Sequence, residues 1–112
     1  MFAAPPKFIG EVKDNLSLKE GASHVLELTF SAHPMPIATW TFNDASLPDA
    51  ERFKSQTLSG KTSLTMTKVV LEDAGDYTVA LQNENGQAAF TATLTVIGTI
   101  NFFVLIFICF KV

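Results

Sequence analysis

The sequence predicts an all-β antiparallel sandwich, and three observations carry that expectation. Short stretches of alternating apolar and polar residues recur along the chain, broken by turn residues about every 8–12 positions, the spacing of sandwich strands. No stretch keeps a helical period over three turns, which removes the amphipathic-helix classes. Asp73-Ala74-Gly75-Asp76-Tyr77 reads as a tight corner opening a long strand, with Tyr77, Val79 and Leu81 on one face and Thr78 and Ala80 on the other. At this corner Gly75 supplies a positive φ without a steric cost, and Asp73 bonds back to nearby backbone donors.

Taken in order, residues 7–9 and 15–18 are short extended pieces that read as a split first strand at the sandwich edge. Glu20-Gly21 is a turn. His24, Leu26, Leu28 and Phe30 then alternate with Val25, Glu27, Thr29 and Ser31, giving the second strand one apolar face. His33-Pro34-Met35-Pro36 is expected as a loop, since two prolines remove two ladder donors. A strand over 37–43 points Ala38, Trp40 and Phe42 inward. Turn chemistry follows at 43–46, and Leu47-Pro48 is expected to start a short edge strand. Residues 52–57 and 62–67 form a hairpin around 58–61, with Leu64 and Met66 inward and Val69 continuing the core. Asn83-Glu84-Asn85-Gly86 is a hairpin turn whose Asn and Gly residues tolerate positive φ. The last strand covers 87–96, with Phe90, Leu94 and Val96 inward and Thr91, Thr93 and Thr95 outward.

At 112 residues the chain holds one sandwich-sized core. Its net charge of −3 with scattered Lys and Arg gives no basic footprint for nucleic acid. A single cysteine, Cys109, rules out an intradomain disulfide and a zinc-ribbon site. Chains without disulfides belong more often to reducing compartments. The beginning of the chain lacks the charged start and apolar run of a secretory signal; Pro5-Pro6 gives it a linker-like stiffness. The expected organisation is a linker-like segment over 1–6, one domain over 7–97, and a hydrophobic tail over 98–112.

Glu20-Gly21, Leu26-x-Leu28, Pro34-x-Pro36, Trp40, Leu64-x-Met66, Asp73-x-Gly75-x-Tyr77 and the turn 83–86 together resemble the intermediate-set (I-set) immunoglobulin-like domains, over roughly residues 5–97. The resemblance implies an immunoglobulin-like antiparallel β-sandwich in which Leu28 and Val79 occupy the two core cysteine positions. Trp40 would pack against them, Tyr77 would be the corner tyrosine, and Leu64 would complete the central core. Losing a disulfide costs about 2–5 kcal/mol, while burying Leu28 and Val79 returns about 1.5–3 kcal/mol each relative to exposure. The resemblance also implies a structural pair between Arg52 and Asp73 at one end. The pattern is closest to the disulfide-less domains of titin- and twitchin-type muscle proteins. A non-catalytic structural and protein-binding module is therefore expected in the cytoplasm, at the sarcomere or cytoskeleton. Its partners would be neighbouring immunoglobulin-like domains or cytoskeletal proteins.

No catalytic, cofactor or metal constellation emerges from the residues. His24 and His33 read as a strand-start and a loop residue. Asp73 and Asp76 belong to the corner, and with Glu72 they supply too few oxygens for a calcium loop. Outward threonines of the last strand, with Gln87 and Ala89, make a flat polar face that reads first as an ordinary solvated sheet face and second as a surface for partners or neighbouring strands. The tail is unbroken apolar sequence over 102–110. Its readings are a membrane anchor, an aggregation-prone strand or a non-native end, and a spanning helix would need about 20 residues. The alternative function is accordingly a membrane-attached adhesion or receptor-type domain held by residues 99–112.

Overall fold

The computed structural model describes residues 3–10 and 14–98. The expected tail over 99–112, with Cys109 and its membrane alternative, lies outside the described residues, as do the first two residues of the linker-like segment. Eight strands follow in order: β1 (Ala4–Ile9), β2 (Asn15–Lys19), β3 (His24–His33), β4 (Ile37–Phe42), β5 (Phe53–Leu58), β6 (Lys61–Met66), β7 (Gly75–Asn83) and β8 (Gly86–Ile97). A 3-10 turn, Leu71–Asp73, precedes β7. The strands form two four-stranded sheets, ordered β1-β3-β6-β5 and β2-β8-β7-β4.

The split first strand serves both sheets. β1 pairs antiparallel with β3, whereas β2 pairs parallel with β8, Leu16 opposite Leu94 and Leu18 opposite Val96. β1 begins at Ala4 and takes in Pro5 and Pro6, residues expected in the linker. Prolines fit there because β1 is an edge strand, although its register shifts between Ala4 and Lys7.

Alternation decides the core. Leu26, Leu28 and Phe30 from β3 meet Trp40, Leu64, Met66, Tyr77, Val79 and Leu81 between the sheets. In β8 the buried residues are Ala92 and Leu94, with Phe90 and Val96 half-buried. Ala92 was not among the expected core residues: it is buried opposite Tyr77 on the inward face of β8. Phe53 is also core, stacked on Tyr77 with ring centroids 5.6 Å apart.

Three local expectations are corrected. Leu47-Pro48 forms no strand. After the left-handed residues Asn43 and Asp44 the chain makes a single bridge, Phe42 to Ala45, and Leu47 then turns onto the core. His33 belongs to β3 and not to a loop. The β5–β6 turn is shorter than expected, because Leu58 and Lys61 pair directly across Ser59-Gly60.

Candidate protein-docking face

At one pole the corner is built around Asp73. Tyr77 donates its hydroxyl to the Asp73 carbonyl at 2.6 Å, and the Val70 N–H donates to Asp73 Oδ2 at 2.8 Å. Arg52 lies 2.7 Å and 3.1 Å from the two Asp73 carboxylate oxygens and donates through Nε to Asp49 at 3.1 Å. Its guanidinium sits 5.2 Å from the Phe53 ring centroid. The hydrogen bonds to Asp73 raise the Arg52 pKa above its ordinary value. Asp49 is held below the usual carboxylate range, first by the Glu51 N–H and then by Arg52. Burial, and then the Asp73 charge, push the Tyr77 hydroxyl upward. Gly75 leaves this corner at φ +151°, where an added Cβ would stand 2.8 Å from Asn43 and Phe42 side-chain atoms.

Behind the corner, Leu28 and Val79 are both fully buried, and Trp40 lies directly opposite Val79. The Trp40 indole N–H donates to Thr62 Oγ1 at 3.1 Å, and Thr62 shares a hydroxyl hydrogen bond with Thr57 at 3.0 Å. A buried indole needs such an acceptor. Thr62 carries that role without any local sequence signal, because its partner lies 22 residues away.

At the other pole Asn83 donates through Nδ2 to the carbonyls of Ala4 and Pro34, at 2.9 and 3.0 Å, while Oδ1 accepts from Asn85 N–H. Asn85 in turn donates to the His33 carbonyl. These asparagines were expected for their tolerance of positive φ. In the structure only Gly86 takes it, at +156°, with Pro5 3.0 Å from where its Cβ would be. The asparagine side chains instead join three segments of chain.

The residues weighed for catalysis do not converge. His24 and His33 stand at opposite ends of β3, about 30 Å apart at strand rise. The Asp73 carboxylate is taken up by Arg52 and Val70, while exposed Asp76 accepts from Thr93 Oγ1. Among the described residues no group of His, Cys, Asp or Glu side chains gathers as a metal site would require.

The outer faces of the two sheets differ in charge. On β3, β5 and β6 the exposed side includes Glu27, Lys54 and Lys61, with Lys61 3.4 Å from Glu27. On β4, β7 and β8 most outward residues stand in uncharged rows, and exposed Asp76, opposite Thr93, carries the charge at one end of them. Thr39, Ala80 and Ala89 form one row and Thr41, Thr78 and Thr91 the next. Ile37, 75% exposed, heads a third row with Gln82 and Gln87. The facing alanines leave a depression of about 390 Å³ beneath Ile37 and Thr39. Exposed Ile37 and the absence of charge from these three rows suit contact with another protein.

This sandwich, with its corner tyrosine and its Trp-centred core, defines an immunoglobulin-like domain. Residues 6–96 match the immunoglobulin I-set domain, and the chain belongs to that family. It is 35% identical over 95 residues to the smooth-muscle myosin light chain kinase of Gallus gallus, covering 85% of this chain and 5% of that protein. It is 36% identical over 101 residues to titin of Drosophila melanogaster, covering 87% of this chain and 1% of that protein. Among solved structures, the titin domains Z1Z2 in complex with telethonin superpose with a TM-score of 0.79 at 25% identity, over 88% of this chain and 50% of that one. The chain thus spans a small part of each curated relative, and the kinase is matched only over these 95 residues.

Proposed function

We propose that this chain is a non-catalytic structural and protein-binding module of a titin-like cytoskeletal protein. Its working unit would be the domain over 7–97, and it would reside in the cytoplasm at the sarcomere or cytoskeleton. The observation that carries this reading is an I-set domain whose buried core includes Leu28, Val79 and Trp40, in a chain with a single cysteine. Such a core holds its shape in a reducing compartment. The mechanism is passive. A stiff sandwich presents a fixed surface, and the uncharged rows through Ile37, Thr39 and Thr41 let another protein dock there without a charge-desolvation cost. The Arg52–Asp73 pair serves the frame of the domain, and no site residue is assigned to chemistry. The titin Z1Z2 structure, which holds telethonin, supports a protein partner of this general kind.

The test is subcellular fractionation, followed by immunoblotting with an antibody to the sandwich. Recovery in the cytoskeletal pellet, extractable by high salt, is expected. Recovery in a membrane pellet that resists alkaline extraction would overturn the reading in favour of an anchored domain.

A further inference from the structure

The two sheets end in four edge strands: β1, β5, β2 and β4. An exposed edge invites another strand, and proteins protect edges with proline, lysine, short length or irregular pairing. Three of these edges are protected. β1 contains Pro5, Pro6 and Lys7 and shifts register. β2 has five residues and ends in Lys19. β5 carries the exposed Lys54. β4, Ile-Ala-Thr-Trp-Thr-Phe, has no charge and no proline, and it pairs with β7 without a register shift.

The hydrogen bonds show what β4 offers. Phe42 exchanges both backbone bonds with Ala45, at 2.9 Å each, so its N–H and C=O face away from β7. Backbone groups alternate sides along a strand, so those of Ala38 and Trp40 face the same open side. Among the described residues no backbone group bonds to them there. Pro36, just before the strand, has no N–H. The open ladder is therefore two residues wide, closed at one end by Ala45 and at the other by a proline.

We propose that β4 pairs antiparallel with β4 of a second copy of this chain, about a two-fold axis at Thr39. Ala38 of each copy then lies opposite Trp40 of the other. That register satisfies the four open backbone groups of Ala38 and Trp40 on each copy. Thr39 meets its symmetry mate, and Ile37 meets Thr41, giving β-branched cross-strand pairs with no charge among them. The surface is self-complementary, as an isologous contact requires. It joins the two β2-β8-β7-β4 sheets into one continuous sheet. With so short a ladder the contact is weak and reversible. The inference goes beyond the proposed function, which concerns the face of the sheet, and a monomer would leave that reading intact.

The experiment is sedimentation velocity of the full chain over about a hundredfold range of concentration, because weak dimers form by mass action. It compares the native chain with Thr39→Lys and Thr39→Glu and with an equimolar mixture of the two. Like charges facing across the axis weaken self-association about three- to tenfold in each variant alone. Mixing them restores it. Association through residues 99–112 would not respond to the charge at position 39. A mutation-free readout is hydrogen exchange at the Ala38 and Trp40 amides, which slows as concentration rises. A native chain that stays monomeric overturns the proposal, as does association indifferent to both variants or not restored by mixing. Protection of these amides only by an added extended apolar peptide overturns it too.

Discussion

Two side chains decide how the core is closed at the scale of single residues. Trp40 shares one buried cluster with Leu28 and Val79 and anchors its indole N–H on buried Thr62. Truncation of Trp40→Ala is expected to cost about 3–5 kcal/mol in denaturant melts, the usual range for an aromatic core deletion. A loss below about 1 kcal/mol would count against a core position. Tyr77 contributes a buried ring and one hydrogen bond to the Asp73 carbonyl. Tyr77→Phe keeps the ring, loses the bond, and should cost about 1–3 kcal/mol because the carbonyl is left unpaired. Its pH signature is distinct. The folded state holds the Tyr77 proton more tightly than the unfolded chain, so its contribution is complete below pH about 10 and falls as pH rises further. Melts of the native chain and of Tyr77→Phe should therefore converge in alkali. Tyr77 is the single tyrosine, so an absorbance titration reports on it alone. An ordinary tyrosine titration in the folded protein would refute the argument.

At the scale of elements, the strands differ in how firmly they are held. β7 lies between β4 and β8 and carries Tyr77, Val79 and Leu81 into the core. β1 is an edge strand with two prolines and an irregular register, fastened at its start by the Asn83 bond to Ala4. Amides of β7 should exchange only through global unfolding, while those of β1 exchange through a smaller local opening. Native-state hydrogen exchange checks this ordering, and equal protection of both strands would contradict it. The elements also show where local reading succeeds. Strands β3, β4, β7 and β8 were legible because alternation has a period of two and turn residues mark the ends. Leu47-Pro48 was misread for want of long-range information: extended sequence beside a turn has no strand to join once Leu47 packs onto the core.

For the whole molecule, stability comes from a continuous apolar core between two sheets, without covalent help. Leu28 and Val79 are fully buried in that core, and the chain has one cysteine. Denaturation midpoints with and without a thiol reductant should agree for the monomeric domain. A large shift would show that disulfide chemistry contributes to the fold. The same frame gathers the uncharged threonine and alanine rows on the outer face of β4, β7 and β8, with Asp76 at one end, and it leaves β4 as an edge without charge or proline.

The sequence by itself determined the sandwich class, the corner at Asp73, Gly75 and Tyr77, and a core that closes without a disulfide. Each of these rests on local turn chemistry, on alternation along one strand, or on residue types at family positions. Only the tertiary structure decided that Thr62 would receive the Trp40 indole and that Asn83 would join β1 to the β3–β4 connection. It alone decided that β4 would lie bare beside a depression lined by Ala80 and Ala89. These features depend on which distant segments become neighbours and which strand is left without one. No period or turn signal within a single stretch encodes that outcome.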